Sequence, residues 1–462
     1  METFLFAIAA LSGVALAVAW VSHDPRLVFW LAFLAPFLPI AYIDRYFVSL
    51  PSGVKWLPFF GMAFAGVAAF FLLPRRERAV PFELSVAYGV LLAISVASVA
   101  VNGVSLASLL VAQRGYVILF CSIWAVHSAC RRYGTDRVLS FLVAMGLISC
   151  VASVLQRLIV VPFAPGPDPG DRVTGLFSVG FIALFFHLFC VVVVLSYTLV
   201  KRRLLPGSPW FVLAVLTVGI AVGNQKASIV YLALAVMTTV LLVRSPRSNA
   251  LRRGAVLAGS AVAVVVAASV FALIYNQSYD RREDESVLLR LSDESYVERY
   301  LFGDSDAMRT PSGRLLRGGA VLFAWDLIAT DPIHVLLGRG PGATSESGVP
   351  GATGPIASRY PGYAVDRVAL GMVLAETGLL GVAAQILFLL AILRSVRAEG
   401  DLPEHRAIRR VFVVLAVAYW VYANLYYEPI FALLVAALVG QPAAEPLPRI
   451  ARLAPEATCA SA

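Results

Sequence analysis

The chain has 462 residues, of which 60% are hydrophobic and 14% are charged, and its formal net charge is +9. A water-soluble chain would carry about 25% charged residues, so this composition excludes a soluble globular core. The mean hydropathy of +0.82 agrees, and the positive charge lies in short segments between apolar blocks. That distribution indicates orientation in a membrane and does not indicate binding of nucleic acid.

The apolar blocks predict an all-α polytopic membrane protein with about 12 transmembrane helices, since each crossing needs about 20 apolar residues. The last block, 411–440, is too long for one simple crossing and contains Asn424, Glu428 and Pro429 near its middle. It therefore predicts two short helices that meet at 423–429. The other predicted crossings, in chain order, are 3–21, 27–43, 56–73, 84–101, 109–130, 138–161, 176–200, 210–223, 226–243, 254–275 and 369–393.

Basic and less basic segments alternate between the predicted helices. Because cytoplasmic loops carry an excess of Lys and Arg, we assign the basic set to the cytoplasm and the long segment 276–368 to the outside. The chain then divides into an N-terminal transmembrane bundle over 1–275, this large periplasmic loop, C-terminal transmembrane helices over 369–440 and a disordered tail over 441–462. The basic segments are 75–78, 131–132, 201–203, 244–253 and 394–410.

The long loop has predicted structure of its own. Ser312 is placed to cap an amphipathic helix over 314–329, which Asp331 and Pro332 would end. This helix could lie at the membrane surface or pack on the bundle. A Gly-rich turn follows it, whose glycines either permit a tight turn or offer backbone N–H groups to an anion. These glycines are Gly338, Gly340 and Gly342.

The sequence contains no recognisable metal-binding or cofactor-binding motif. The five cysteines show no CxxC spacing, so we expect neither a disulfide framework nor a metal site. The glycine turn lacks the strand–helix context and the spacing of a dinucleotide fingerprint, and no P-loop is present. We therefore expect no cofactor.

Basic side chains at the outer ends of the predicted helices are the first candidates for chemistry. Arg114 opens the fifth span from the outside, Lys226 lies in a tight turn between two spans, and the loop adds Arg314, Arg339 and Arg367. If these cations converge on one cavity, they would suit a phosphate or pyrophosphate, because Arg offers a planar fork and Lys a point charge. For Arg114 and Lys226, snorkelling at the membrane rim is an equal alternative.

Three stretches, by their order and spacing over 220–381, are similar to one known group of proteins. They resemble the O-antigen ligase and O-antigen/exopolysaccharide polymerase superfamily of bacterial envelope glycosyltransferases, whose layout of spans and one large loop is also similar. The three stretches are 222–228 (VGNQKAS), the loop series 311–314 (PSGR) with Trp325, Pro332 and 337–342 (LGRGPG), and 374–381 (LAETGLLG).

One departure from the family's pattern concerns the acceptor. The ligases usually carry His-Asn nine residues before Gly-x-x-Gly, whereas this chain has Arg367 and Val368 there, preceded by Asp366. The missing histidine, assigned to the acceptor side, favours a polymerase or a divergent member over a ligase to lipid A–core. Lys226 stands where arginine is more usual, which keeps the charge and loses the fork.

The resemblance implies a metal-independent, inverting glycosyltransferase of the bacterial inner membrane, with its site facing the periplasm. Its donor would be a glycan on undecaprenyl pyrophosphate, and its acceptor a second lipid-linked repeat unit. Arg314, with Lys226 and Arg114, would stabilise the leaving pyrophosphate. Arg339 and Arg367 would complete the binding set.

The same resemblance implies the remaining roles and partners. Asp366 would orient or deprotonate the acceptor, with Glu376 or His334 as alternatives. The partners would be the lipid-linked glycan and membrane lipids. A chain-length regulator is an optional further partner, and nucleic acid is not expected.

Other functions stay open at this point. Ligation to lipid A–core or another acceptor is the nearest alternative. A transporter or flippase could use the same cations to pass an anionic glycolipid, although no internal repeat is visible. A structural subunit of an envelope complex would need no cluster of cations.

Overall fold

A computed structural model describes residues 33–72, 80–160, 173–177, 179–223, 225, 227–243, 250–279, 315–345, 353–395 and 402–439. Within these ranges the chain is helical and contains no strand, which confirms the all-helical class. The expected count of about 12 spans is not confirmed, because five described helices are long and apolar enough to cross a membrane. The five are Phe82–Asn102, Leu106–Tyr133, Thr135–Val160, Gly180–Leu199 and Ala369–Arg394.

The first described segment corrects one predicted span. The stretch 27–43 is not a continuous helix in its described part, which forms a 3₁₀ turn at Ala35–Phe37 and then helix α1 (Ile40–Tyr46). Pro36 lies in the turn and Pro39 precedes α1, and a proline inside a helix removes a backbone donor and breaks the hydrogen-bond ladder. The predicted span 3–21 and the tail 441–462 lie outside the described residues.

The other predicted blocks are helices with shifted ends. Short helix α2 (Ser52–Lys55) leads into the helical bundle. The bundle's helices are α3 (Leu57–Leu72), α4 (Phe82–Asn102), α5 (Leu106–Tyr133), α6 (Thr135–Leu155, extended by a π turn over Gln156–Val160), α7 (Gly180–Leu199), α8 (Pro209–Val222), α9 (Ser228–Leu242) and α10 (Ala250–Tyr279).

Helix α7 forms the centre of the bundle. Nearly all its side chains are buried, and it packs against α6, α8 and α9. It also packs against α15 (Pro403–Trp420), where the ring of Phe185 lies 5.6 Å from that of Phe412 and 4.9 Å from that of Tyr419. The interior position also gives its polar His187 a partner, because the Nε2 atom lies 3.0 Å from the hydroxyl of Ser149.

The C-terminal helices confirm the predicted break. Helix α14 (Ala369–Arg394) kinks at Gly378, and α15 is followed by α16 (Pro429–Val439) after a non-helical turn over 421–428. Helix α15 begins at Pro403, before the apolar block at 411. Its first turns carry charged residues, so hydropathy alone placed its start too late. Helix α16 packs against α5.

The described part of the long loop packs on the bundle. Helix α11 spans Arg317–Ile328, α12 spans Pro332–Leu337 and α13 spans Pro355–Arg359. Helix α11 starts three residues after the predicted start, with Leu316 at its N-cap, and the predicted cap Ser312 lies outside the described residues. The helix buries small side chains, including Ala320 and Ala324, against α14. Asp331 ends this stretch as predicted and caps α12, because its carboxylate accepts a hydrogen bond from the backbone N–H of Ile333 at 3.0 Å.

The opposite end of the bundle carries a partly buried polar network. Arg202, in the loop after α7, donates to Asp136 at 2.6 Å and to Glu404. The hydroxyl of Tyr197 donates to Asp136 at 2.6 Å and contacts His405 at 2.8 Å. The basic segments 201–203 and 403–410 therefore meet at one end, here called the basic end. The end that carries 102–106, α11 to α13 and the turn 421–428 is called the loop end.

Candidate functional site

The turn 421–428 is the point at which several candidate segments meet. Asn424 holds it to the start of α14, because its side-chain amide donates to the carbonyl of Asp366 at 2.8 Å and contacts the sulfur of Met372 at 3.1 Å. Its amide oxygen also accepts from the backbone N–H of Tyr426 at 3.1 Å. One buried side chain therefore shapes the turn and attaches it to the segment that carries Asp366.

Helix α5 approaches this turn through a glycine. A Cβ atom at Gly115 would lie 2.2 Å from the carbonyl oxygen of Tyr426, so no larger residue fits there without a backbone shift. This close approach brings Arg114 beside the end of the turn, next to Tyr427.

Arg114 is held in a cage of aromatic rings. Its guanidinium carbon lies 4.5 Å from the ring centroid of Tyr427, 5.4 Å from that of Trp56 and 5.8 Å from that of Phe59. Cations at these distances are attracted to the faces of aromatic rings. Its Nε is buried and has no hydrogen-bond partner within the described part of the chain. The side chain is therefore positioned, while part of its donor capacity is unused.

A cavity of about 180 Å³ opens beside Arg114. Its charged lining residues are Lys55, Arg114 and Glu428, and the rest of the lining is mostly apolar, with Phe59, Phe177, Tyr427 and several prolines. A mostly apolar cavity with a few charged groups is the usual form of a small-ligand site.

Lys55 is fixed by an ion pair next to this cavity. Its ammonium group lies 2.8 Å from the carboxylate of Asp44, which also accepts from the backbone N–H of Leu50 at 2.8 Å. The hydrogen bond from Lys55, followed by that from Leu50, lowers the pKa of Asp44 below its usual value. Asp44 therefore holds the segment between α1 and α3 in the shape that places Lys55 at the cavity.

The other side of the turn 421–428 meets two of the sequence motifs. The guanidinium of Arg317 lies 4.6 Å from the ring centroid of Tyr422, and the hydroxyl of Tyr422 donates to the side-chain oxygen of Gln225 at 3.4 Å. The 222–228 turn and helix α11 thus converge here. The predicted cations Lys226 and Arg314 lie outside the described residues, so their positions stay predictions.

Glu376 has a structural partner in the loop. Its carboxylate is buried and accepts hydrogen bonds from the hydroxyl of Thr344 at 2.6 Å and from the backbone N–H of Thr344 at 3.2 Å. The structure places Glu376 under the glycine turn, and Glu376 does not line the cavity.

The glycine turn packs its backbone directly on the kink of α14. The N–H groups of Arg339 and Gly340 donate to the carbonyls of Ala375 and Glu376 at 2.8 and 3.0 Å. Gly338 has a φ of +69°, and a Cβ there would lie 2.4 Å from the carbonyl carbon of Glu376. The positive φ values fit the predicted tight turn, and the backbone of Gly342 also hydrogen-bonds the carboxyl group of Glu376, so the turn has features of both predicted alternatives.

Two predicted cations have other surroundings. The guanidinium of Arg339 donates to the carbonyl of Leu327 at 2.7 and 3.0 Å and to the hydroxyl of Thr330 at 2.8 Å, which satisfies the C-terminal end of α11. Arg339 does not line the cavity. Arg367 is exposed in a short 3₁₀ turn after Ala364, which has a φ of +53°.

The alternative bases also differ in position. Asp366 is half-buried in the same 3₁₀ turn, beside the turn 421–428. His334 lies 3.1 Å from the side-chain oxygen of Asn102 and 3.2 Å from the carboxylate of Asp331, so it links α12 to the end of α4. Among the described residues, no cluster of His, Cys, Asp and Glu could hold a metal ion.

Lys55, Trp56 and Tyr427 belong to the site but were not among the residues predicted for it. The signal available was weak: Lys55 and Trp56 form a charged and aromatic pair just before an apolar span. Tyr427 precedes Glu428 and Pro429 at the predicted break, and an aromatic residue next to a charged one at membrane depth is a reason to look for a cavity.

The fold and this site define a helical protein with membrane-type apolar helices and a mostly apolar, partly aromatic cavity that carries three charged side chains. Compared with known proteins, the chain matches no protein-family model and no curated sequence.

Proposed function

We propose that the protein is a membrane glycosyltransferase that polymerises glycan repeat units carried on undecaprenyl pyrophosphate, at the outer face of the bacterial inner membrane. The observation that carries the proposal is the cavity with Arg114 in its aromatic cage and Lys55 beside it. A lipid pyrophosphate carries its charge near the membrane surface, which is where an outer cavity with two cations could receive it.

The proposed reaction is an inverting transfer between two lipid-linked glycans. A hydroxyl oxygen of the acceptor forms a bond to the anomeric carbon of the donor, and the bond from that carbon to the pyrophosphate oxygen breaks. The electron pair leaves with the pyrophosphate, whose developing charge Arg114, Lys55 and the predicted cations Lys226 and Arg314 stabilise.

The proton of the acceptor hydroxyl passes to a carboxylate in this proposal. Asp366 is the favoured base, because it lies on the segment that Asn424 attaches to the turn 421–428. Glu376 becomes a positioning residue, since Thr344 already occupies its carboxylate. Arg339 is assigned to the structure of the loop, and Arg367 stays in the predicted binding set.

Chain extension in liposomes tests the proposal. Purified protein with a polyprenyl pyrophosphate that carries one repeat unit should give longer glycans on a gel, with a chelator present. Arg314→Ala and Arg114→Ala should each lower the rate by about a hundredfold or more, as loss of a charge-stabilising donor does. Arg132→Ala, exposed at the basic end, is the matched control and should retain the rate.

The outcomes separate this function from its alternatives. Full activity of Arg314→Ala would remove that residue's role. Transfer only to an added lipid A–core acceptor would indicate the ligase. Movement of the glycolipid across the bilayer without growth of the glycan would indicate a flippase and contradict the proposal.

A further inference from the structure

Glu428 is a charged group of the cavity that the proposed reaction does not use. It is half-buried at the end of the turn 421–428 and lines the cavity together with Arg114 and Lys55. Its carboxylate interacts electrostatically with Arg114. Within the described ranges, no side chain or backbone group gives that carboxylate a hydrogen bond or an ion pair. A carboxylate at membrane depth without such a partner is a functional candidate.

The cations at the cavity each have an acidic side chain near them. Lys55 is paired with Asp44, and the carboxyl group of Glu428 interacts with Arg114. A site for pyrophosphate alone gains nothing from a carboxylate beside its cation, because like charges repel. The ligand should therefore bring hydrogen-bond donors to Glu428 as well as negative charge to Arg114.

Hydroxyl groups of a sugar fit that requirement. The carboxyl group of Glu428 presents acceptor oxygens, which are strongest when it is ionised, and a sugar ring offers several neighbouring hydroxyl donors. In a lipid-linked glycan the first sugar is bonded directly to the pyrophosphate, so the two chemical groups are adjacent. In the cavity Glu428 follows Tyr427, whose ring centroid lies 4.5 Å from the guanidinium carbon of Arg114. The residue proposed for the sugar and the residue proposed for the pyrophosphate are therefore adjacent too.

We infer that Glu428 is a specificity-determining residue that binds hydroxyl groups of the sugar next to the pyrophosphate. This inference rests on the proposed function, because it places the pyrophosphate at Arg114. The apolar walls formed by Phe59, Phe177 and Pro429 then surround the sugar ring. Glu428 selects the substrate, and Arg114 binds the group that all such substrates share.

Binding of two kinds of probe tests the inference. One probe is farnesyl pyrophosphate without a sugar; the others are farnesyl pyrophosphates that carry a single glucose, galactose or N-acetylglucosamine. The protein is the full chain in nanodiscs. The wild type should bind at least one sugar-bearing probe about tenfold or more tightly than the bare probe, as hydrogen bonds to a charged group would give.

The variants separate the two roles. Glu428→Leu should lower the preference for the sugar-bearing probe by about ten- to hundredfold. Glu428→Gln, which keeps an acceptor oxygen, should lower it less. Arg114→Ala should weaken binding of both kinds of probe by the same factor and leave the preference unchanged. An unchanged elution profile and helical content show that each variant is folded.

Three results would overturn the inference. The first is a preference for the sugar-bearing probe that Glu428→Leu leaves intact. The second is an equal gain in affinity for both kinds of probe in Glu428→Leu, which would mean that removing the charge is the whole effect. The third is a wild type that prefers no sugar-bearing probe. If the bare probe binds through Arg114 in these cases, only the role of Glu428 fails. If no probe binds the wild type, the proposed pyrophosphate site fails as well.

Discussion

At the scale of single residues, Glu376 lies in one of the three motif stretches, and its carboxylate holds the loop to α14. Its hydrogen bonds from Thr344 join the kinked start of α14 to the loop that follows the glycine turn. A buried carboxylate without these donors would be costly, so the pair specifies where the loop lies. This role differs from the acceptor-side role that the resemblance allowed.

Thr344→Val tests the pair with little change in volume. The substitution removes the hydroxyl that donates to Glu376 and should lower the free energy of unfolding by about 1–3 kcal/mol. Thr344→Ser keeps the donor and should cost less. Both are measured by thermal unfolding in one detergent, and equal stability of the two variants would show that the hydroxyl is not used.

Arg114 is a candidate from the sequence alone, but the aromatic rings around it could not be predicted. A basic residue at the outer end of an apolar block is visible in the sequence. The rings around it come from Trp56 and Phe59 before and within α3 and from Tyr427 before α16. Contacts between segments so far apart in the chain depend on which helix ends meet. The hydropathy pattern locates the helices but does not predict which of their ends lie together.

At the scale of elements, the glycine turn acts as a backbone-packed joint between the loop and the bundle. A Cβ at Gly338 would overlap the backbone of α14 at residues 376 and 377, and a Cβ at Gly378 would lie 2.5 Å from the carbonyl oxygen of Leu336. Ser98 of α4 donates to the carbonyl of Leu337 at 2.5 Å, so a third helix closes the joint. The fixed position of α12 follows from this contact.

Gly338→Ala should be much more destabilising than Gly362→Ala. Both glycines have positive φ, of +69° and +83°, but a Cβ meets backbone atoms only at Gly338 and has nothing within 4 Å at Gly362. Positive φ alone costs alanine about 1 kcal/mol. The overlap at Gly338 adds about 1–3 kcal/mol.

Chemical or thermal unfolding of the two alanine variants measures this difference. Similar losses of stability for both would show that the turn is not pressed against α14. The two positions match in the sign of φ, so the difference reports the steric contact together with the extended ψ of −163° at Gly338.

The elements also show where hydropathy works and where it does not. The break in the last apolar block was predicted from Asn424, Glu428 and Pro429, and a turn is present over 421–428. The span 27–43 was counted as one crossing although Pro36 and Pro39 interrupt it. Apolar composition predicts membrane depth, but proline decides whether the helix continues.

At the scale of the whole molecule, the two ends of the bundle differ in chemistry. The basic end is closed by the network of Arg202, Asp136 and Glu404, whereas the loop end carries the cavity and the packed loop helices. If the positive-inside bias holds, the basic end lies in the cytoplasm and the cavity faces outward.

Cysteine labelling in intact cells tests this orientation. In a Cys459→Ala background, Ser358→Cys in α13 should react with a membrane-impermeant maleimide. Arg203→Cys should react only after the membrane is permeabilised. Both positions are exposed, and the four cysteines of the described residues are buried. The reverse pattern would put the basic end outside and remove the proposed site from the periplasm.

The central claim is that the turn 421–428 forms an outward cavity that holds the pyrophosphate of a lipid-linked glycan. A cryo-electron microscopy map of the protein in nanodiscs with a sugar-bearing farnesyl pyrophosphate tests it most directly. We predict pyrophosphate density within hydrogen-bonding distance of Arg114 and Lys55, with the sugar against Glu428. Density for the pyrophosphate elsewhere on the bundle, with this cavity empty, would contradict the account.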